Sequence, residues 1–192
     1  MILFLDFDGV MHPDRCPART RLFEQAPRLA ATLAPFPEVR IVLSTAWRNL
    51  VTFDQARGCL GSRLAARVCG STPNTGTFDA RCELAAYHRH AECIQWLQVN
   101  APRALPWLAL DDRPAWFAPY CQNLICCDPV VGFDASVAAR LASALLSARL
   151  RAMAARHAAV ARTHPRNAAD RARAAVAAAS QALLPKTDMA CG

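Results

Sequence analysis

The sequence predicts an α/β protein built on a doubly wound parallel sheet, with an α-helical C-terminal tail. Three observations predict it. Short apolar runs rich in strand formers recur at Ile2–Leu5, Val39–Leu43, Trp107–Leu110 and Asn123–Cys127. Runs without polar alternation belong to strands buried on both faces. Segments with helical apolar spacing separate the runs, and strands alternating with helices favour a parallel sheet covered on both sides. Each run also closes on polar or acidic residues, where open sheets of this kind place their sites.

Ile2–Leu5 ends in Asp6-Phe7-Asp8-Gly9. Two acids at the end of a buried strand are costly unless something there uses them. His12 to Pro17 read as a loop. Apolar residues at 23, 26, 29, 30 and 33 share helical spacing, with Pro27 either an early break or a late start. The Val39–Leu43 strand closes on Ser44-Thr45, both good cap types, so a helix is predicted over Trp47–Gln55. A short helix follows around Leu60–Ala66, then Val68–Pro73 as a short strand or loop, and a Gly/Thr-rich turn over Asn74–Phe78. His90–Val99 forms an amphipathic helix with Cys93, Ile94, Trp96 and Leu97 on one broad face. Trp107–Leu110 ends in Asp111-Asp112, and Asn123–Cys127 ends in Asp128-Pro129. A last helix is predicted from about Ser136 to Leu150.

The 192 residues suit one domain, 1–150, with an appendage, 151–192. Apolar content is 54% and charged content 19%, a globular composition enriched by alanine. No apolar stretch approaches the roughly 20 residues of a membrane helix. The apolar N-terminus is too short for a signal peptide. The nine cysteines are scattered, without CxxC pairs, and read as reduced thiols of a cytoplasmic protein without zinc-ligand spacing. The net charge of +7 sits in residues 136–192, which hold nine basic against two acidic residues. Their apolar positions are mostly alanine, so residues 151–192 are expected to form a loosely packed basic tail. Pro165 splits it into two helical stretches, and order is lost beyond Pro185. Its arginines make weak nucleic-acid contact an expectation.

Three strand ends thus bring Asp6 and Asp8, Ser44 and Thr45, and Asp111 and Asp112 to one sheet edge. Four gathered carboxylates repel one another, and a divalent cation relieves the repulsion. All-oxygen ligation with few protein carboxylates is the pattern for Mg²⁺, which binds phosphate.

Asp6-Phe7-Asp8-Gly9-Val10, Leu43-Ser44-Thr45 and Leu110-Asp111-Asp112 resemble the first, second and fourth motifs of the haloacid dehalogenase-like (HAD) superfamily. The likeness covers residues 1 to about 148. Ser44–Arg48, the Thr72-Pro73 turn and the Arg89…Glu92…Trp96-Leu97 helix are similar to the small HAD domains associated with RNA-repair proteins. The resemblance implies a Rossmann-like HAD core and a Mg²⁺-dependent phosphate-monoester hydrolase. Asp6 would be the nucleophile and Asp8 the general acid and base, its backbone carbonyl also on the metal. Ser44, or Thr45 in the neighbouring register, would bind the phosphoryl group. Asp6, Asp8, Asp111 and Asp112 would form the metal site, one of the last pair acting through water. The third motif, usually a lysine, is missing, since the sole lysine is Lys186 in the tail. Arg89 is the natural substitute and Arg81 the second choice.

His12 reads as a loop residue, His88 and His90 as surface residues, and Trp47 and Trp116 as core or pocket wall. The spacing of the motifs leaves room for at most a small cap. An open site suits a large phosphorylated substrate such as a nucleic-acid end, as well as a small molecule. The alternative is a non-catalytic metal-binding module that docks on nucleic acid or an acidic partner through its tail.

Overall fold

The computed structural model describes residues 1–16, 18–74, 84, 86–101 and 105–163, with side chains described as far as residue 159. The sheet has five parallel strands: β1 (Ile2–Leu5), β2 (Arg40–Leu43), β3 (Val68–Ser71), β4 (Trp107–Asp111) and β5 (Leu124–Cys126). Their order is β3-β2-β1-β4-β5. The chain therefore builds outward from β1 on one side and then crosses to the other. That reversal opens a crevice at the carboxyl ends of β1 and β4.

Alternate residues of the central strands feed two cores, as the two-residue repeat of a strand requires. Leu3, Leu5, Ile41, Leu43, Leu108 and Leu110 face one layer. This layer is built by α1 (Ala26–Leu33), α2 (Phe53–Cys59), α3 (Gly61–Ala65) and the start of α5 (Ala135–Thr163). Leu29, Leu33, Leu64, Leu141 and Leu145 are fully or almost fully buried there. Ile2, Phe4, Val42 and Ala109 face α4 (His88–Asn100) through Cys93 and Trp96. Phe4 meets Trp96 and Trp107 edge-on at 5.9 and 5.8 Å, an arrangement aromatic quadrupoles favour.

Three local expectations change. Pro27 marks a late start: α1 begins at Ala26, with proline in its first turn, where the lost N–H costs nothing. The continuous helix expected over Trp47–Gln55 is instead a 3-10 turn, Ala46–Asn49, and the separate α2. The break is chemical. Thr52 and Gln55 form a reciprocal capping box that starts a new helix at Phe53. The last helix continues past Leu150 to Thr163. Residues 151–163 contain no Gly or Pro and many alanines, so nothing local stops it.

By its internal contacts the chain divides into two units, Met1–Leu146 and Ser147–Gly192. In the second, the described residues are helical to Thr163; the stretches predicted around Pro165 and Pro185 lie outside the described residues. No helix among the described residues is long and apolar enough to cross a membrane.

Candidate active site

The ladders carry on past the strands and fix the residues that follow them. The Asp6 N–H donates to the Leu110 carbonyl at 3.1 Å, the Ser44 N–H to Leu5 at 2.8 Å, and the Cys127 N–H to Asp111 at 3.0 Å. The ends of β1, β2 and β4 therefore present Asp6, Ser44 and Asp111 at one level of the crevice.

Asp6, Asp111 and Asp112 are buried and offer carboxylate oxygens that all lie within 4.8 Å of one another. Asp6 Oδ1 accepts the Phe7 N–H at 2.8 Å, and Asp111 Oδ1 accepts the Arg113 N–H at 2.8 Å. Burial is the larger reason that the Asp6 carboxyl is pushed up to about 6. Arg89, the Phe7 N–H and the Thr45 hydroxyl pull the other way. Burial first, and then the Asp6 charge, also raise Asp111; burial raises Asp112 against the pull of Arg113.

Two cations serve these three acids. Arg89, 3% exposed, stands 3.7 Å from both Asp6 and Asp111, and its Nη1 donates to Ser44 Oγ at 3.4 Å. It is thus a buried cation between the Asp6 and Asp111 carboxylates. Arg81 lies outside the described residues. Arg113 reaches Asp112 at 3.1 Å and Asp14 at 2.5 Å. Trp116 carries both guanidiniums, with Arg89 5.2 Å and Arg113 5.6 Å from its ring centroid.

The cluster fits a divalent cation. Three carboxylates face two guanidiniums, one of them shared with Asp14, and buried Asp112 Oδ2 accepts no hydrogen bond and has only its ion pair with Arg113. Gly9 supplies the space beside it. Its φ is +68°, and a Cβ there would lie 2.5 Å from the Asp112 carboxylate. Only glycine satisfies both the backbone and the gap.

The Asp8 side chain faces other partners. His12 Nε2 is 3.1 Å from its Oδ1, and Trp47 Nε1 donates to both oxygens at 3.0 and 3.2 Å. The His12 and Trp47 hydrogen bonds hold Asp8 below the usual carboxylate range although burial opposes them. The structure thus gathers Asp6, Asp111 and Asp112, with Ser44 and Arg89 against them. Thr45 caps the following turn through its Oγ1, which accepts the Trp47 N–H at 3.3 Å.

Several residues exceed their sequence reading. His12, expected in a loop, is 1% exposed and tied to Asp8. Trp47 forms a wall and also donates to Asp8. His88 and His90 are half-buried, with rings against Trp116 and Phe117 at 4.7 and 5.8 Å. Arg48 joins Thr72 and Glu92, each at 2.6 Å. Available signals were His12 four residues after Asp8, and Arg113 directly after the acid pair.

Residues 2–138 match a family model described as the HAD domain in Swiss Army Knife RNA repair proteins. No curated protein and no solved structure matches the chain.

Proposed function

We propose that this chain, which belongs to the family of HAD domains in Swiss Army Knife RNA repair proteins, hydrolyses phosphate monoesters through Asp6. The observation that supports this most is the buried Asp6 carboxylate facing Arg89, with Asp111 and Asp112 alongside. Buried acids with raised proton affinity, set in a crevice against a fixed cation, are what a site under chemical demand shows.

An Asp6 oxygen attacks phosphorus, and the bond to the ester oxygen breaks with its electron pair on that oxygen. Asp8, holding a proton at this step against the pull of the His12 and Trp47 hydrogen bonds, gives it to the leaving oxygen. Water then attacks the aspartyl-phosphate, its proton passes to the Asp8 carboxylate, and the electron pair of the broken bond returns to Asp6. Arg89 offsets negative charge on Asp6 and the phosphoryl group, and the Ser44 hydroxyl donates to a phosphoryl oxygen. Asp6, Asp111 and Asp112, with the Asp8 backbone carbonyl, would hold Mg²⁺. Bound there, Mg²⁺ would supply charge neutralisation and orientation of the phosphoryl oxygens.

The stretch before β2 holds one 3-10 turn and α1. A cap of that size among the described residues suits a phosphorylated nucleic-acid end better than an enclosed metabolite. The family's place in RNA repair points the same way. Asp6→Asn assayed with Mg²⁺ on an aryl phosphate is expected to lose more than about 10³-fold in kcat. Equal turnover by variant and parent would overturn the nucleophile assignment.

A further inference from the structure

The backbone turns back directly after Asp8. Val10 and Met11 both donate to the Phe7 carbonyl, at 3.1 and 2.7 Å, and this brings His12 against Asp8. The His12 ring is buried among aromatic rings, with Phe23 at 5.1 Å and Trp47 at 5.9 Å. The Phe23 N–H points at His12 Nδ1, 3.4 Å away. A ring nitrogen that accepts cannot also carry a proton, so the proton of the neutral ring sits on Nε2, facing Asp8 Oδ1. Phe23 makes this contact from φ +60°, a left-handed conformation that bulky residues avoid. Its ring is held edge-on by Phe7 at 5.0 Å and Trp47 at 5.2 Å. A strained backbone position kept by packing delivers one N–H to one histidine nitrogen.

We infer that His12 is a positioning residue for Asp8: its Nε2–H, fixed by the Phe23 backbone, orients the carboxylate that exchanges the proton in both halves of the reaction. This rests on the phosphohydrolase reading above. Trp47 supplies the second donor, and the Asp8 side chain remains 43% exposed, open to substrate. The reacting atoms are touched by Asp8, not by His12. Loss of His12 therefore acts where Asp8 acts, on departure of a leaving oxygen that needs a proton and on the later attack by water, and kcat/KM reports the first of these.

Leaving-group dependence separates this from a general packing role. The full chain with Mg²⁺ is assayed on phosphates running from 2,4-dinitrophenyl, which leaves without protonation, to an alkyl phosphate, which does not. His12→Phe keeps a ring but has no donor. It is expected to lose about 10²-fold in kcat/KM on the alkyl phosphate and less than about 3-fold on the dinitrophenyl ester. His12→Gln, with an amide N–H of similar reach, is expected to recover at least about 10-fold of the alkyl loss. Equal losses across the series, or none, would overturn the inference while Asp6→Asn still reports on the nucleophile. A parent protein that turns over no member of the series overturns the underlying reading and this one with it. Nitrogen-15 NMR gives a test independent of turnover and of the His12 variants. A His12 proton on Nε2 that shifts in Asp8→Asn supports the inference, and a proton on Nδ1 refutes it.

Discussion

Arg48→Met should destabilise the protein by stranding a buried carboxylate. Arg48 Nη1 and Nη2 donate to Thr72 Oγ1 and Glu92 Oε1, both at 2.6 Å, and the Glu92 side chain is 3% exposed. Methionine keeps most of the arginine stem's packing, so the loss isolates the charge. Breaking a buried pair from one side costs about 3–5 kcal/mol, because the other charge is stranded. Glu92→Gln leaves Arg48 an acceptor and should cost less, about 1–2 kcal/mol. Urea unfolding of the three proteins at pH 7 measures both losses. A deficit for Arg48→Met below about 1 kcal/mol, or one no larger than that of Glu92→Gln, would refute the reasoning.

Three further outcomes follow from the same coordinates. Gly9→Ala places a Cβ 2.5 Å from Asp112 at φ +68°. It should weaken Mg²⁺ binding at least about 10-fold by calorimetry, with a fall in stability of about 1–2 kcal/mol. Raised carboxyls stabilise the metal-free fold below the unfolded value of 3.8, and for Asp6 that support is lost as pH rises through about 6. The loss is about 3 kcal/mol for Asp6 alone. Mg²⁺ should therefore raise Tm most at pH 7 and little at pH 5, and Asp111→Asn should abolish the rise. Burial holds His90 below the usual histidine range. The unfolded chain takes that proton first, so Tm should drop as pH falls below about 6.5, and His90→Phe should flatten that part of the profile.

The strands were legible because both faces of this sheet are covered, so each buried segment is an unbroken apolar run. The acids were legible because two carboxylates at the end of a buried strand are costly unless something there offsets their charge. What stayed hidden was partnership across distance. Arg48 and Glu92 are 44 residues apart, and no spacing rule links a residue in the turn after β2 to one on α4. The Asp8 partners were hidden for a related reason: His12 and Trp47 read as loop and wall until the turn at Phe7–Met11 folds one onto the other. The division of Trp47–Gln55 was open to reading, because Thr52-x-x-Gln55 is a capping box in the sequence itself. The length of α5 was misjudged because area burial, not alanine propensity, set the expected end.

Strand β1 is the middle of the sheet, yet its two partners come from very different stretches of chain. Ile2 pairs with Arg40 on one side and with Trp107 on the other. During synthesis the Ile-Leu-Phe-Leu segment can pair with β2 early, then carries an open apolar edge until the chain from Leu43 to Trp107, about sixty more residues, has emerged. At ribosomal speeds of about 5–20 residues per second that wait is about 3–12 s. Long-range parallel pairing is slow to form, and an unpaired apolar edge invites pairing with another chain. The strand that ends in Asp6 is therefore also the one most exposed to misassembly. Nascent chains stopped before Trp107 are where chaperone binding or aggregation would concentrate.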